Sequence, residues 1–339
     1  MRGQSTDSSL LNKRIAVVGS GSWVTAIAKM VLSNVQEINW FMRSQAKIEE
    51  FKQLGRNPSY LSAASFDTSR IHFTSDINEI AKISDVLIVA IPSPFLKTAF
   101  NKLRRSIRQK IIISATKGMV QEDNMIISDY MHFRFNVPME QIGVITGPCH
   151  AEEVALERMS YLTIGCPIRE RAGKMAELFA TPYIKTSLSD DICGLEYSSV
   201  LKNIYAIAAG IAHGLKYGDN FLSVLISNSI QEMSRFASSV VPMHRCINDS
   251  AYLGDLLVTA YSRFSRNHQF GEMIGIGYSV KAAQLEMEMV SEGYYGTNCI
   301  HQLNERYQVS MPIMDAVYDI LYQKASPTIV FKELSKKLM

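Results

Sequence analysis

The sequence predicts an α/β fold in which an N-terminal, doubly wound sheet domain precedes an all-helical C-terminal domain. Short apolar runs alternate with helical patterns in the first half of the chain, which is typical of a mostly parallel sheet covered by helices. From about Asp190 onward, long helical patterns follow one another without a convincing strand. We therefore expect one domain over residues 12–188 and a second over residues 189–339, with the boundary near Ser187–Asp190.

Each element of the sheet domain is predicted from a local pattern. Short apolar runs predict strands, which are Arg14–Val18, Ile38–Met42, Val86–Ile91, Lys110–Ser114, Ile142–Thr146, Leu162–Gly165 and Tyr183–Thr186. Helical patterns follow the first three of these runs, near Trp23–Ser33, Gln45–Leu54 and Pro94–Leu103. The stretch Asn57–Asp67 contains many small and polar residues and is expected to be a loop.

Composition indicates an ordinary soluble globular protein. Of the 339 residues, 35 are Lys or Arg and 32 are Asp or Glu, and their scatter gives no indication of nucleic acid binding. The five cysteines are widely spaced without a C-x-x-C pair, which argues against a disulfide framework and a zinc site and predicts a reducing compartment. No apolar stretch approaches about eighteen residues, so we expect a cytoplasmic protein without integral membrane association.

A glycine turn, G-S-G-S-W-V from Gly19 to Val24, follows the first predicted strand. Two glycines between a strand and a helix let the backbone approach a pyrophosphate, whose charge the helix N-terminal amides meet. Val24 stands where the dinucleotide-binding fingerprint has a third small residue, so an ordinary tight turn is the alternative. Arg43 follows the second strand, where an arginine can receive a 2′-phosphate. The sequence therefore allows either NAD(H) or NADP(H) as cofactor, because Arg43 is equally well interpreted as a solvated surface charge.

A single formal charge, Lys202, interrupts a helical apolar run between Glu196 and Lys216. At helical spacing the small or polar residues on its face are Ser199, Asn203, Ala206, Gly210 and His213. Burial lowers a lysine pKa unless an anion compensates, so a buried lysine is a candidate for acid–base chemistry. We interpret this face as the bottom of a cleft; the alternative is a lysine that extends from the helix edge to water.

Further polar residues are candidates for a site. Three motifs end predicted strands, where doubly wound sheets bind ligands: P-S-P, A-T-K-G with Lys117, and G-P-C-H-A-E-E. The alternatives are that Lys117 is a solvated surface lysine and that Cys149 and His150 are packing residues.

Asp255 lies among leucines and needs a cation, for which Lys202 is the distant candidate. Arg266 and Asn267 have the chemistry of an anion clamp, because a guanidinium matches phosphate oxygens bidentately. The alternative is a basic, solvated loop.

Taken together, the motifs resemble those of the bacterial-type glycerol-3-phosphate dehydrogenases, in the same order from Ile15 to the C-terminus. They are G-S-G-S-W, P-S-P, A-T-K-G, G-P-C-H-A-E-E, L-K-N-I-Y-A-I-A-A-G, L-G-D-L-L-V-T, S-R-N-x-x-F-G and V-S-E-G-Y. The resemblance implies a Rossmann domain joined to a helical substrate domain. It also implies reversible reduction of dihydroxyacetone phosphate to sn-glycerol 3-phosphate by NADH or NADPH, for phospholipid synthesis. A homodimer is expected on the same basis, whereas the expectation of no metal rests on the spacing of the cysteines.

The resemblance also implies roles for individual residues. Lys202 is expected to donate and accept the proton, with Asp255 orienting it. The residues expected at the substrate are Lys117, Gly147, Cys149, Asp255, Ser265, Arg266 and Asn267. Those expected at the cofactor are Gly19, Gly21, Ser22, Trp23, Arg43, Lys117, Ala151, Arg266, Val290 and Glu292.

Some positions depart from the family pattern. Cys149 replaces a hydroxyl residue, Val24 a small residue and Tyr252 a glycine, and Asp219–Ser229 differs from the usual A-L-I-x-R-G stretch. Two other functions remain as alternatives. One is a dehydrogenase of the same architecture that acts on a 3-hydroxy acid or sugar acid, and the other is a non-enzymatic dinucleotide sensor.

Overall fold

The computed structural model describes residues 9–262, 264–287 and 291–339, and its first part contains the predicted strands and helices. The strands are β1 Ile15–Val18, β2 Ile38–Phe41, β3 Ile71–Thr74, β4 Val86–Val89, β5 Ile111–Ser114, β6 Met119–Val120, β7 Met125–Ile126, β8 Ile142–Thr146, β9 Ser160–Gly165 and β10 Ile184–Ser189. The helices are α1 Ser22–Leu32, α2 Gln45–Leu54, α3 Ile77–Ile83, α4 Ser93–Phe100, α5 Ile127–Phe135, α6 Ala151–Ala155 and α7 Arg169–Glu177.

Eight of these strands form one sheet in the order β10-β9-β8-β5-β4-β1-β2-β3. All neighbours are parallel except β8 and β9, which pair antiparallel, so β9 and β10 run against the others. From β1 the chain adds β2 and then β3 on one side. It then crosses to the other side of β1, where β4, β5 and β8 follow in turn. The doubly wound sheet is therefore confirmed, and its switch point lies between β1 and β4.

The sheet is buried on both faces. Along β1, Ile15 and Val17 belong to one hydrophobic cluster while Ala16 and Val18 belong to another on the opposite face. Burial on both faces explains why the inner strands are continuous apolar runs.

The edge strand β3 was not predicted. In it His72 is exposed between buried Ile71 and Phe73, and this alternation of polar and apolar residues gives no continuous apolar run to recognise.

From Asp190 onward the described residues form helices joined by loops and contain no strand, as expected. Its helices are α8 Ile192–Gly214, α9 Asp219–Val240, α10 Asp255–Tyr261, α11 Arg266–Gly275, α12 Val280–Glu286, α13 Glu292–Tyr307, α14 Pro312–Tyr322 and α15 Pro327–Leu334. A single π-helical turn, Ser250–Gly254, leads directly into α10. No helix in the described ranges has both the length and the apolar character needed to cross a membrane. The division at residues 188 and 189 stays a prediction.

Helices α8 and α11 cross with their backbones in contact. A Cβ on Gly214 would lie 2.5 Å from the carbonyl oxygen of Glu272, and one on Gly275 would lie 2.5 Å from that of Ile211. Gly210 likewise faces the carbonyl of His268, while His213 is exposed. The prediction that Gly210 and His213 lie at the bottom of the cleft was therefore wrong. Gly210 permits the close contact between α8 and α11, and His213 lies at the surface.

Candidate active site

A cleft of about 150 Å³ lies at the carboxyl ends of β4, β5 and β8, facing α8, α10 and α11. Ligands of doubly wound sheets bind at this edge. Ten of the predicted site residues line it, namely Ser22, Trp23, Lys117, Cys149, Ala151, Lys202, Ser265, Arg266, Asn267 and Glu292. The structure thus brings together motifs that are spread over more than half of the chain.

The glycine turn connects β1 to α1 at the switch point of the sheet. Gly19 has a φ of +139°, and a Cβ there would lie 2.9 Å from the carbonyl oxygen of Ala90, so this position requires glycine. The indole Nε1 of Trp40 donates to the Gly19 carbonyl at 2.9 Å, which anchors the turn from below. A Cβ on Gly21, by contrast, would meet no atom within 4 Å, so the space over Gly21 is open. Val24 is fully buried in the core, which accommodates its departure from a small residue.

Lys202 and Asp255 form a buried ion pair, as the sequence predicted. The Lys202 Nζ lies 2.5 Å from Asp255 Oδ2, and the two residues are only 3% and 1% exposed. Lys202 therefore does not extend to water. Burial lowers its pKa to about 7, while Asp255 opposes this shift and Lys117 adds to it. The backbone N–H of Gly147 donates to Asp255 Oδ2 at 3.3 Å, which fixes the carboxylate between α8 and the end of β8.

A chain of amide hydrogen bonds holds the other side of the cleft. Asn203 donates its Nδ2 to the carbonyl of Lys117 at 3.0 Å, and Asn267 donates its Nδ2 to Asn203 Oδ1 at 2.9 Å. The Asn267 Oδ1 in turn accepts from Ser291 Oγ and from the Gly293 N–H. The Asn267 amide thus joins α8, α11 and α13, and one of its two N–H donors is left for another partner.

Three cationic side chains, those of Lys117, Lys202 and Arg266, line the same cleft. Arg266 is the first residue of α11, and Ser265 caps that helix by accepting from the His268 N–H at 3.3 Å. The Lys117 ammonium lies 5.2 Å from the centroid of the Trp23 ring. Together with Lys202, these cations and the start of α11 favour an anionic ligand.

Glu292 joins α13 to the end of β4. Its carboxylate accepts from the Ser93 N–H at 2.8 Å and from Ser93 Oγ at 2.5 Å. Burial raises its pKa, although the bonds from Ser93 oppose this. The carboxylate therefore caps α4 at the border of the cleft where the sequence predicted a cofactor contact.

Cys149 lines the cleft as a neutral thiol. It is buried, and burial raises its pKa to about 12. The thiolate form is therefore absent near neutral pH, which agrees with the interpretation of Cys149 as a packing residue.

His150 and Phe264 line the cleft but were not predicted as site residues. Burial, followed by the charges of Lys117 and Lys202, lowers the pKa of His150 to about 4. In the described part of the chain its buried Nε2 has no hydrogen-bond partner. His150 could have been found from the G-P-C-H motif. Nothing in the sequence marks Phe264, whose ring is half-exposed.

The remaining predicted residues lie outside the cleft lining. Asp255 pairs with Lys202, Gly147 donates to Asp255, and Gly19 and Gly21 form the turn that leads to Ser22. Arg43 is exposed, with its guanidinium carbon 5.7 Å from the centroid of the Phe95 ring. Val290 lies outside the described residues.

A second buried ion pair explains the departure at Tyr252. Asp191 caps α8 and pairs with Arg245, whose Nε and Nη2 donate to its two oxygens at 2.5 and 3.0 Å. The Tyr252 hydroxyl, in the π-helical turn before Asp255, donates to Asp191 Oδ2 at 2.7 Å. Tyrosine at this position thus adds a hydrogen bond that glycine cannot make.

Known proteins resemble this chain over nearly its whole length. The family model described as NAD-dependent glycerol-3-phosphate dehydrogenase N-terminus matches residues 14–172, and the model described as the C-terminus of the same enzyme matches residues 191–332. A protein of Salinibacter ruber named glycerol-3-phosphate dehydrogenase [NAD(P)+] 2 is 32% identical, with 96% of this chain and 94% of the relative covered. A protein of Agathobacter rectalis named glycerol-3-phosphate dehydrogenase [NAD(P)+] is 33% identical, with 91% and 92% covered.

A solved structure resembles the fold equally well. The crystal structure of glycerol-3-phosphate dehydrogenase from Coxiella burnetii superposes with a TM-score of 0.88 at 27% identity, covering 96% of this chain and 99% of that one. A single solved protein therefore matches nearly all of this chain, including both its sheet part and its helical part.

Proposed function

The chain belongs to the NAD-dependent glycerol-3-phosphate dehydrogenase family, and on that premise we propose that it reversibly reduces dihydroxyacetone phosphate to sn-glycerol 3-phosphate with NADH or NADPH. The observation that carries this proposal is the buried Lys202–Asp255 pair, which adjoins a cleft that Lys117 and Arg266 also line. A proton-transferring group and cations suited to a phosphate thus border one small volume. The product would supply the backbone of glycerophospholipids.

A nicotinamide dinucleotide fits the residues around the glycine turn. The open space over Gly21 leaves room for a pyrophosphate, and the first N–H groups of α1 would bind its charge. Trp23, Ala151 and Glu292 line the adjoining cleft and would border the rest of the molecule. When bound, the dinucleotide supplies or accepts the hydride.

Arg266 and Lys117 would bind the substrate phosphate. A guanidinium offers two parallel donors to phosphate oxygens, and the N-terminus of α11 adds favourable charge. The Asn267 amide, already bonded to Asn203 and Ser291, would keep this helix end in place and offer its remaining N–H. Fixing the phosphate orients the carbonyl carbon for reaction, which lowers the entropic part of the barrier.

Lys202 would move the proton at the C2 oxygen of the substrate. During reduction its ammonium stabilises the developing alkoxide and donates a proton, and during oxidation its neutral amine accepts that proton. A pKa near 7 makes both forms accessible at neutral pH. Asp255 would orient the ammonium and favour its charged form.

The direct test is the oxidation of NADH with dihydroxyacetone phosphate as substrate, run beside dihydroxyacetone. We expect turnover with the phosphate ester and little with the unphosphorylated ketone. A 3-hydroxy-acid or sugar-acid dehydrogenase would instead use carboxylate substrates and fail with dihydroxyacetone phosphate, and a dinucleotide sensor would turn over neither. Absence of turnover with dihydroxyacetone phosphate would overturn the proposal.

Arg43 provides a test of cofactor choice. We propose that it receives the 2′-phosphate of NADPH, so Arg43→Ala should raise the KM for NADPH and leave that for NADH nearly unchanged. Arg105→Ala, which removes another exposed arginine, serves as the control. Equal KM values for NADPH in wild type and Arg43→Ala would remove the assignment.

Assembly and location remain predictions. A homodimer in the cytoplasm is what the family resemblance and the composition favour, and sedimentation of the purified protein would establish its oligomeric state.

A further inference from the structure

Two histidines and a glutamate form a cluster at the end of the α8–α11 crossing, away from the cleft. His213 lies in the last turn of α8, while His268 and Glu272 lie four residues apart on α11 and so share one helix face. One ligand atom from each residue lies within 4.8 Å of the other two. His213 Nδ1 is 3.9 Å from Glu272 Oε1, and the two imidazole centroids are 5.5 Å apart.

The backbone beneath this cluster is held by the glycine contacts between the two helices. Gly214 follows His213 directly and lies against the Glu272 carbonyl, and Gly210 lies against that of His268. Because no side chain separates the helices there, the Cα positions of the three residues are fixed by backbone packing. The side chains themselves are exposed or half-buried, so rotation can bring their ligand atoms closer.

The donor set matches a borderline transition-metal ion. Imidazole nitrogen favours Zn²⁺, Co²⁺, Ni²⁺ or Cu²⁺, whereas Mg²⁺ and Ca²⁺ favour sites made of oxygen. Two histidines and one carboxylate leave coordination positions for water.

We propose that His213, His268 and Glu272 together bind one divalent transition-metal ion, for which Zn²⁺ is the probe. Side-chain rotation would bring the ligand atoms to about 3.3 Å from one another, the spacing set by metal–nitrogen bonds of about 2.0–2.1 Å in a tetrahedral site. This departs from the sequence expectation of no metal, which rested on the spacing of the cysteines. The ion would join α8 to α11, the helices that carry Lys202 and Arg266, and would stabilise the folded state by binding to it selectively.

Isothermal titration of Zn²⁺ into the full chain, prepared without a polyhistidine tag and freed of metal, tests the site. We expect one saturable site, a Tm that rises with Zn²⁺ concentration, and a visible Co²⁺ spectrum typical of low coordination. His213→Ala and His268→Ala should each weaken binding by about tenfold or more, because even outer-shell changes cost about 10–100-fold at metal sites.

Two variants control for other ligands. His244→Ala removes an exposed histidine of the same domain, and Cys246→Ser removes an exposed thiol; both should bind Zn²⁺ as the wild type does. Unchanged Zn²⁺ affinity in His213→Ala or His268→Ala, with folding verified by circular dichroism, would overturn the proposal. So would the absence of saturable binding to the wild type.

Discussion

Two buried ion pairs in the helical domain have similar exposure but different surroundings. Arg245 and Asp191 have side chains that are 3% and 5% exposed, and those of Lys202 and Asp255 are 4% and 2% exposed. In the first pair, Arg245 also donates to the carbonyls of Ala237 and Val241 at 3.1 and 2.8 Å. Asp191 in turn accepts from the Gly194 N–H and the Tyr252 hydroxyl.

The second pair has few partners. The Lys202 ammonium can donate three hydrogen bonds, and within the described ranges Asp255 is the one acceptor that it contacts. The comparison shows that the burial of an ion pair does not by itself indicate that the pair takes part in a reaction. A buried pair with its donors and acceptors satisfied stabilises structure, whereas a buried ammonium with free donors beside a cleft is available to a ligand. Four substitutions test this distinction.

Replacing Lys202 should have the largest effect on turnover. We expect Lys202→Ala to lower kcat by about 10²–10⁴-fold, the usual contribution of a positioned general acid or base, with NADH binding nearly intact. Steady-state kinetics and fluorescence titration of NADH measure the two quantities. Lys281→Ala, at an exposed position on α12, should leave both unchanged. Normal turnover in Lys202→Ala would remove the distinction between the pairs.

Replacing Arg245 should affect stability instead. Arg245→Ala leaves the buried Asp191 carboxylate without its cation, which should lower the free energy of unfolding by about 3–5 kcal/mol. Urea denaturation measures this loss, and kcat per folded molecule should stay within a few-fold of wild type. A large loss of kcat without a loss of stability would mean that this pair also acts in the reaction.

Replacing Asp255 should move the pH dependence. Reduction needs the Lys202 ammonium, so its rate should fall as pH rises through about 7, whereas oxidation, which needs the neutral amine, should rise. Asp255 raises the Lys202 pKa, so Asp255→Asn should shift both limbs to lower pH by about one unit, or about 1.4 kcal/mol. Profiles of kcat/KM that coincide with wild type would contradict the proposed role of Asp255.

Removing one hydroxyl from the first pair should have the smallest effect. Tyr252→Phe deletes the hydrogen bond to Asp191, which keeps its bonds from Arg245 and Gly194, and should cost about 0.5–1.5 kcal/mol of stability, the usual net contribution of one hydrogen bond, with kcat unchanged. Tyr130→Phe is the matched control, because the Tyr130 hydroxyl is buried without a partner among the described residues. Equal stability changes in the two variants would show that the hydroxyl of Tyr252 contributes nothing specific.

The sequence predicted the chemical core of the site well. Lys202 was identified because a charge in an apolar helix needs a partner, and Asp255 because a carboxylate among leucines needs one too. Their pairing at 2.5 Å confirms that inference. The glycine turn and the strand ends were found because their residue types reflect local backbone requirements, which a sequence displays directly.

The features that were missed depend on contacts between distant segments. The Arg245–Asp191 pair has no local pattern, since Arg245 lies in a polar stretch that resembles a surface loop. Gly210 appeared to be a small residue of a cleft because the approach of α11 is not visible from α8 alone. His150 was interpreted as a packing residue, since its burial and the cations at the end of β5 and on α8, which together lower its pKa, are not visible from its own segment.

The reversal of the last two strands decides where Lys202 lies. Since β9 runs against β8, β10 ends at the edge where the parallel strands begin, as the contact between Cys166, which follows β9, and Glu140, which precedes β8, illustrates. Helix α8 starts at that edge and rises about 1.5 Å per residue, so Lys202 lies about 15 Å farther on, roughly the length of a five-residue strand. It therefore reaches the level of the strand carboxyl ends and Lys117. Had β9 and β10 been parallel to β8, the same helix would begin beside Lys117 and carry Lys202 an equal distance beyond the sheet.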